Sequence, residues 1–170
     1  GETKILVDCG LAQGSRYAEQ ENYADFKYDP STIDFLFITH SHIDHIGRAS
    51  KLFKEGFRGK VYATTATGDL MKVALPDNTG HIVREAEKDQ HEPLFSEEDM
   101  NGLIGLIHGV KYKEVIELTD GISAVMHDAG HILGSAIIEF RWTDEDGTDK
   151  NIVFSGDLGN SPTPLLMPTE

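Results

Sequence analysis

The chain has 170 residues, which is enough for one domain with a real core and too few for two large domains. Its formal net charge of −14 argues against a simple nucleic-acid-binding module, because such binding depends on Lys and Arg side chains that neutralise phosphates. The charge does not exclude a metal-dependent phosphodiesterase, since bound cations would offset it locally. No segment approaches the roughly 20 apolar residues of a membrane span, and the single cysteine, Cys9, fits a reducing, cytoplasmic compartment.

Strands alternate with loops and helices in the first half of the chain. The apolar patterning predicts strands at 4–7, 34–39 and 61–64. A glycine-containing loop is predicted at 10–29. Because the chain enters a strand almost at once and opens with no signal peptide, we expect it to be a trimmed sequence.

Helices are predicted at 48–55, 67–75 and 81–90. Pro76 should end the second of these, because proline lacks an N–H and its ring clashes with the preceding turn. A further helix should begin after the N-cap residue Ser96, run to about His108 and stop before Gly109. Its apolar residues recur at helical spacing and should face the core: Met100, Leu103, Ile104 and Ile107.

Strand-like segments dominate the second half, at 114–117, 122–127, 136–142 and 151–155. A hairpin turn from Asp144 to Gly147 is predicted between the last two of them. Helices followed by strands, with mixed connections, predict an α/β fold of the α+β kind with mixed sheets covered by helices. We expect residues 1–170 to form a single domain.

The segment THSHIDHIG, residues 39–47, crowds three histidines and an aspartate directly behind the apolar run 33–38. His40 and His42 are two positions apart at a strand end and can point toward one ion, while Asp44 and His45 on the following turn can reach a second. Imidazole and carboxylate are ligands for Zn²⁺, and Mn²⁺ or Fe accept the same mixture. The alternative is a surface loop that is rich in histidine by coincidence.

Further ligands must come from distant parts of the sequence, because four residues cannot complete two sites. His131 in AGHILGS and Asp157 in FSGDLG both follow predicted strands and are flanked by glycines, which let the backbone pass close to a metal cluster. Each taken alone has an ordinary interpretation, as a loop histidine and a turn residue. Together with the first motif, both become candidate ligands.

The remaining histidines have ordinary interpretations. His81, His91 and His108 lack partners at ligand spacing and are expected at the surface. His127 precedes His131 by four residues and is a rival ligand, although strand alternation should turn it away. Three further residues are expected to serve packing or a turn: Cys9, Trp142 and Ser135.

An ordered set of motifs in this sequence resembles that of the metallo-β-lactamase superfamily. The set consists of Asp8, the motif from His40 to His45, His131 and Asp157. The segments VDCGLAQG, AGHILGS and FSGDLG are similar to its β-CASP branch, the RNA-processing nucleases such as ribonuclease J and the polyadenylation-type endonucleases. The resemblance spans Lys4 to Gly159. It implies an αββα sandwich, of which these residues would form only the N-terminal half.

The resemblance also implies a role for each site residue. The implied metal ligands are His40, His42 and His131 on one zinc ion, Asp44 and His45 on the other, and Asp157 bridging both. The implied catalytic residues are Asp44, Asp157 and Asp8, of which Asp8 would orient the ligand loop. A hydroxide between the two ions would attack phosphorus in an RNA substrate.

One departure from the family pattern concerns the second metal position, which in the family is completed by a later histidine. The chain ends at Glu170, where the resemblance places the start of the β-CASP insertion, so we expect the insertion and the C-terminal part to be absent. We therefore expect weak or no activity from these residues alone, and an empty position at Asp44 and His45.

Two alternatives stay open. The same metal centre could hydrolyse a small ester, thioester, lactone or β-lactam, since it polarises carbonyls as well as phosphoryls. The second alternative is a non-catalytic scaffold homologue. The sequence argues against it, because all six ligand positions are filled. The sequence leaves four questions open: whether the enzyme is an endo- or exonuclease, whether its substrate is RNA or DNA, which metal is native, and whether the protein is a homodimer or has another oligomeric state.

Overall fold

The computed structural model describes residues 3–14, 16–90, 92–119, 121–160 and 166–170, with the side chains of 16–19 and 89 left aside. A parallel sheet has the strand order β1-β2-β3-β4: Ile5–Val7, Phe35–Phe37, Lys60–Thr64 and Ile107–Val110. An antiparallel sheet has the order β5-β6-β7-β8: Val115–Thr119, Ile122–Asp128, Ala136–Thr143 and Asp149–Phe154. The α helices are α1 (Arg16–Tyr23), α2 (Ile43–Ile46), α3 (Ala49–Lys54), α4 (Thr65–Asp89) and α5 (Glu97–Ile104).

The structure has three layers, which are the helices, the parallel sheet and the antiparallel sheet. One apolar cluster lies on each face of the parallel sheet. Leu36 and Ile38 face helices α3 to α5, whereas Phe37 faces the antiparallel sheet, and all three are fully buried. The run around β2 is therefore buried on both faces, as a strand with near-continuous apolar residues should be. The predicted α/β class with mixed sheets is confirmed.

The helical layer covers only one side of the sandwich in the described residues. The outer face of the antiparallel sheet carries a mixture of polar side chains and exposed valines, Val115 and Val153, and edge strand β8 is exposed along its whole length. This arrangement agrees with half of an αββα sandwich. None of the helices in the described ranges is both long and apolar enough to cross a membrane.

Three secondary-structure predictions are wrong. Helix α4 continues through Pro76 to Asp89, because Met71, Leu75 and Ile82 pack into the interior on both sides of the proline while its ring lies in solvent. Residues 107–110 form strand β4 instead of the end of a helix, since Ile107 pairs with Val61 in the parallel sheet.

The third error concerns the predicted loop at 10–29, which contains helix α1. Its sequence is polar and gives no apolar stripe. The buried Asn22 holds the helix through both groups of its side-chain amide, with Oδ1 accepting from Ala12 N at 2.8 Å and Nδ2 donating to Ala12 O at 3.0 Å. The remaining predicted elements lie within a few residues of those observed, and Ser96 is the N-cap of α5, where it forms a capping box with Asp99.

Candidate metal centre

The ligand loop begins where β2 leaves the sheet and ends in the short helix α2. His40 is fully buried at the floor of the site, and His42 is exposed at the residue before α2. Backbone hydrogen bonds fix both sides of the loop, because Ala136 N donates to Thr39 O at 2.8 Å and Cys9 N donates to His45 O at 2.7 Å. Strands of both sheets and the loop after β1 therefore hold the motif.

Four predicted ligands converge, since atoms of His40, His42, His131 and Asp157 all lie within 4.8 Å of one another. His42 Nδ1 lies 2.9 Å from His40 Nε2 and 3.3 Å from His131 Nε2. Zn–N bonds of about 2.0–2.1 Å in tetrahedral geometry imply nitrogen separations of roughly 3.3 Å. Asp157 Oδ2, 3.6 Å from His131 Nε2 and 4.0 Å from His40 Nε2, supplies an oxygen. The donor set fits a divalent metal ion.

A second group of side chains lies on the other side of Asp157. His45 Nε2 is 3.4 Å from Asp157 Oδ1 and 3.8 Å from Asp44 Oδ2. The carboxylate of Asp157 thus presents one oxygen to each group. Asp44 and Asp157 are about half exposed, with side-chain accessibilities of 52% and 46%, so this side of the site opens to solvent.

Asp8 lies behind the ligands and contacts His45 directly. Its Oδ2 accepts from His45 Nδ1 at 2.7 Å and from Thr39 Oγ1 at 2.8 Å, and its Oδ1 accepts from Thr39 N at 2.8 Å. Burial raises the pKa of Asp8, and the hydrogen bonds from His45 and Thr39 oppose that rise. The residue has a left-handed backbone conformation with φ 58°, which Asp tolerates better than most residues.

His40 is held in the form that a metal requires. Burial and the neighbouring His45 and His42 lower the pKa of His40 to about 4. Its imidazole is therefore neutral at pH 7, and a neutral imidazole is the ligand form.

His131 and Asp157 meet because two loops cross closely. A Cβ on Gly159 would lie 1.7 Å from Gly130 O, so a side chain there would keep the loops apart, and Gly159 N donates to Ala129 O at 2.8 Å. Ser135 makes the predicted turn, since its buried Oγ accepts from His131 N at 3.1 Å.

The other residues with ordinary interpretations lie outside this centre. His127 contacts Glu139 at 3.2 Å on the outer face of the antiparallel sheet, and His81 and His108 are exposed. His91 falls outside the described residues. Burial raises the pKa of the Cys9 thiol to about 12, so it acts as a small buried apolar residue.

Sequence reasoning missed two residues that shape the site. Thr39 contacts Asp8, His40 and His45 through its hydroxyl, and its place directly before the first histidine was the available signal. Gly10 allows the loop after β1 to touch α2, because a Cβ there would lie 1.5 Å from Asp44 O. Nothing in the spacing of the motifs indicates that contact.

Comparison with known proteins agrees with this geometry. Ribonuclease TTHA0252 of Thermus thermophilus is 39% identical over 99% of this chain and 36% of its own length. The transcription termination factor FttA of Methanosarcina mazei is 37% identical over 98% of this chain and 25% of its own length. The chain therefore spans about a third or a quarter of the relatives that it matches.

Solved structures show the same fold. MEM-A1, a subclass B3 metallo-β-lactamase from a soil metagenome library, aligns with a TM-score of 0.55 at 17% identity, over 95% of this chain and 56% of its own. SMB-1, a metallo-β-lactamase solved with mercaptoacetic acid, gives 0.54 at 20% identity, over 95% of this chain and 58% of its own. The histidine and aspartate group on this fold supports a divalent metal ion.

The sequence profile of the metallo-β-lactamase superfamily domain matches residues 1–157. That range includes every residue of the metal centre, and the ribonuclease and termination-factor names agree with the expected RNA-processing branch. The chain belongs to the metallo-β-lactamase superfamily.

Proposed function

We propose that this chain is the metal-binding N-terminal segment of a cytoplasmic phosphodiesterase that cleaves RNA. The convergence of His40, His42, His131 and Asp157 within 4.8 Å carries the proposal. The ribonuclease and termination-factor relatives support RNA as the substrate class, and the partial coverage of those relatives makes this an inference about a longer protein.

Two zinc ions are proposed for the centre. His40, His42 and His131 would hold the first, Asp44 and His45 the second, and Asp157 would contact both. Bound divalent ions supply Lewis acidity and an activated water for phosphodiester hydrolysis. Within the described residues the second group has only three ligand side chains, so we expect it to bind its ion more weakly than the first.

The protein's own residues orient this chemistry. His42, Asp44 and Asp157 lie on the exposed side of the site, where a phosphodiester would approach, and His40 anchors the opposite, buried side. The carboxylate of Asp8 accepts a hydrogen bond from His45 Nδ1 and so fixes the imidazole ring, with His45 Nε2 facing Asp157. Asp8 therefore positions a ligand and does not contact the substrate.

The open side of the sandwich supports the further proposal that these residues are one part of a larger domain. A cleft of about 280 Å³ lies between β1 and β8, the strands whose outer edges have no partner among the described residues. Its walls are mostly apolar and include Ile5, Trp142, Ile152 and Phe154. Ile152 and Phe154 are 48% and 38% exposed, which is unusual for residues on the inner side of a sheet. The remainder of the domain would pack here.

Substitution of Ile152 and Phe154 by Ser tests that packing. We expect each substitution to lower the free energy of unfolding of the 170-residue chain by only about 1 kcal/mol, because the side chains are already partly in solvent. The same changes should strongly destabilise a longer natural chain that carries these residues. A wild-type dimer that dissociates on substitution, seen by size-exclusion chromatography, would show instead that a second copy covers the cleft.

Metal content by elemental mass spectrometry is the first test of the function. We expect about one tightly bound ion per chain in the purified 170-residue protein and none in the His42→Ala variant. An unchanged ion content in the variant would contradict the proposed ligands.

Cleavage assays then test the substrate class. The longest natural chain that carries these residues should cleave single-stranded RNA and leave a chromogenic β-lactam and a thioester intact, and the 170 residues alone should be weakly active. Hydrolysis of the ester substrates without RNA cleavage would overturn the RNA proposal. Equal RNA cleavage by both chains would overturn the expectation that the segment is incomplete.

A further inference from the structure

We propose that Thr39 is a positioning residue whose hydroxyl sets the imidazole tautomer of His40 and, by holding the Asp8 carboxylate, supports that of His45; this rests on the proposed two-ion site. Its side chain is buried between the two positions. Thr39 Oγ1 lies 2.8 Å from Asp8 Oδ2, 3.1 Å from His40 Nδ1 and 3.3 Å from His45 Nδ1.

The hydrogen-bond directions follow from the chemistry of the groups. A hydroxyl has one proton to donate, and a carboxylate only accepts. Thr39 Oγ1 therefore donates to Asp8 and uses a lone pair to accept from His40 Nδ1–H. The protonated Nδ1 of His40 leaves its Nε2 bare, and that nitrogen is the one that faces His42 and Asp157.

The same network sets the second histidine. His45 Nδ1 donates to Asp8 Oδ2 at 2.7 Å, the oxygen that also accepts from Thr39, and its bare Nε2 faces Asp157 Oδ1 at 3.4 Å. Partners of this kind fix the tautomer and orientation of metal-binding histidines. One hydroxyl and one carboxylate thus prepare a ligand for each ion.

The rest of Thr39 has a separate, steric role, which allows the hydroxyl to be tested alone. A Cβ on Gly156 would lie 2.8–3.0 Å from Thr39 Cβ, Cγ2 and Oγ1, so the side chain packs against the turn that carries Asp157. Thr39→Val keeps that shape and removes the hydroxyl. Thr39→Ser keeps the hydroxyl and removes the methyl group.

The tautomer is measured in the metal-free protein by ¹⁵N NMR of the histidine rings. We expect wild type and Thr39→Ser to carry the His40 proton on Nδ1, and Thr39→Val to shift part of the population to Nε2–H. A role in stability alone would not move this equilibrium. Protonation of His40 at Nε2 in the wild type would overturn the proposal even if the Val variant failed to fold.

Zn²⁺ titration against a competing chelator gives the second readout. Thr39→Val should weaken binding about 10- to 100-fold, as is typical when a partner of a metal ligand is lost, and Thr39→Ser should stay within about threefold of wild type. Equal affinities for wild type and the Val variant would overturn the inference. A wild-type protein that binds no divalent cation would refute the proposed function instead, and the NMR measurement would still decide the role of Thr39.

Discussion

Asp157 Oδ1 lies 3.4 Å from His45 Nε2, while the other oxygen of the same carboxylate faces His131 at 3.6 Å. One side chain therefore contacts both ligand groups, although it comes from the opposite end of the chain. It lies on the turn after β8 and reaches the site because its loop crosses the His131 loop at Gly159. The position of Asp157 differs from that of Asp44, whose carboxylate contacts only the second group, through His45, among the residues that the structure describes.

Substitution of the two aspartates should separate these roles. Asp157→Asn should lower the affinity for both ions by at least about 10-fold, whereas Asp44→Asn should lower only the weaker one, because the amide loses the charge that each ion requires. Isothermal titration with Zn²⁺ measures both steps. Loss of a single binding step in the Asp157 variant would contradict a bridging role.

Gly10→Ala should weaken the second metal position although it replaces none of the ligand residues. The new Cβ would lie 1.5 Å from Asp44 O and 2.6 Å from His45 N, so α2 must move with both side chains. We expect a loss of about 1–3 kcal/mol in the free energy of unfolding and weaker binding of the second ion. Urea unfolding and metal titration are the measurements.

Gly105→Ala serves as the matched control for that change, because its Cβ would meet nothing closer than 3.4 Å and its φ is −63°. It should bind both ions as the wild type does. Wild-type stability and metal affinity in the Gly10 variant would show that the loop after β1 does not position α2.

The convergence of four candidate ligands was largely predictable, because these residues are distinctive in type and their motifs are short. The apolar run before His40 correctly indicated a buried strand, and a buried strand must end in a loop at the sheet edge. The contacts of Thr39 and Gly10 could not be predicted, since they depend on how the loop after β1 lies against α2. Sequence spacing carries no information on that approach.

Two of the three errors in the fold share one cause, which is tertiary packing that overrides a local signal. Pro76 is a valid helix stop by local rules, yet the buried Met71 and Leu75 before it and Ile82 after it hold one continuous helix against the interior. Ile107 falls at helical spacing from Leu103 and packs into the same apolar cluster, so periodicity could not distinguish the end of a helix from strand β4.

Two helical glycines should respond to Ala in opposite directions. In Gly80→Ala the new Cβ would lie 3.6 Å from the flexible end of Arg84, and the variant should be about 0.5–1 kcal/mol more stable, because alanine favours helix interiors. In Gly102→Ala the Cβ would lie 2.2 Å from the ring of Phe53, so the free energy of unfolding should fall by about 1–3 kcal/mol. Chemical denaturation measures both, and equal effects would contradict the packing of α5 on α3.

Glu139 should contribute stability that depends on pH. Hydrogen bonds from Arg141 and Asn151, the two largest causes, lower the pKa of Glu139 to about 2, and a bond from His127 acts in the same direction while burial opposes them. The unfolded value is about 4.3. Between these values the unfolded chain binds more protons, so the contribution is fully present above about pH 4.3 and is lost as the pH falls toward 2.

Glu139→Gln removes that titration and keeps the shape of the side chain. We expect the variant to be about 1–2 kcal/mol less stable than wild type at pH 7, as for the loss of a charged hydrogen-bond acceptor that is mostly covered. The difference should fall to less than about half of that value by pH 3, because the wild-type carboxylate is then increasingly protonated in the unfolded state. Urea unfolding at pH 7, 4 and 3 measures it. The exposed Glu117 on β5 gives the control, since Glu117→Gln should change stability by less than about 0.5 kcal/mol at each pH. If the effect of Glu139→Gln were constant across this pH range, the ionised network could not be its source.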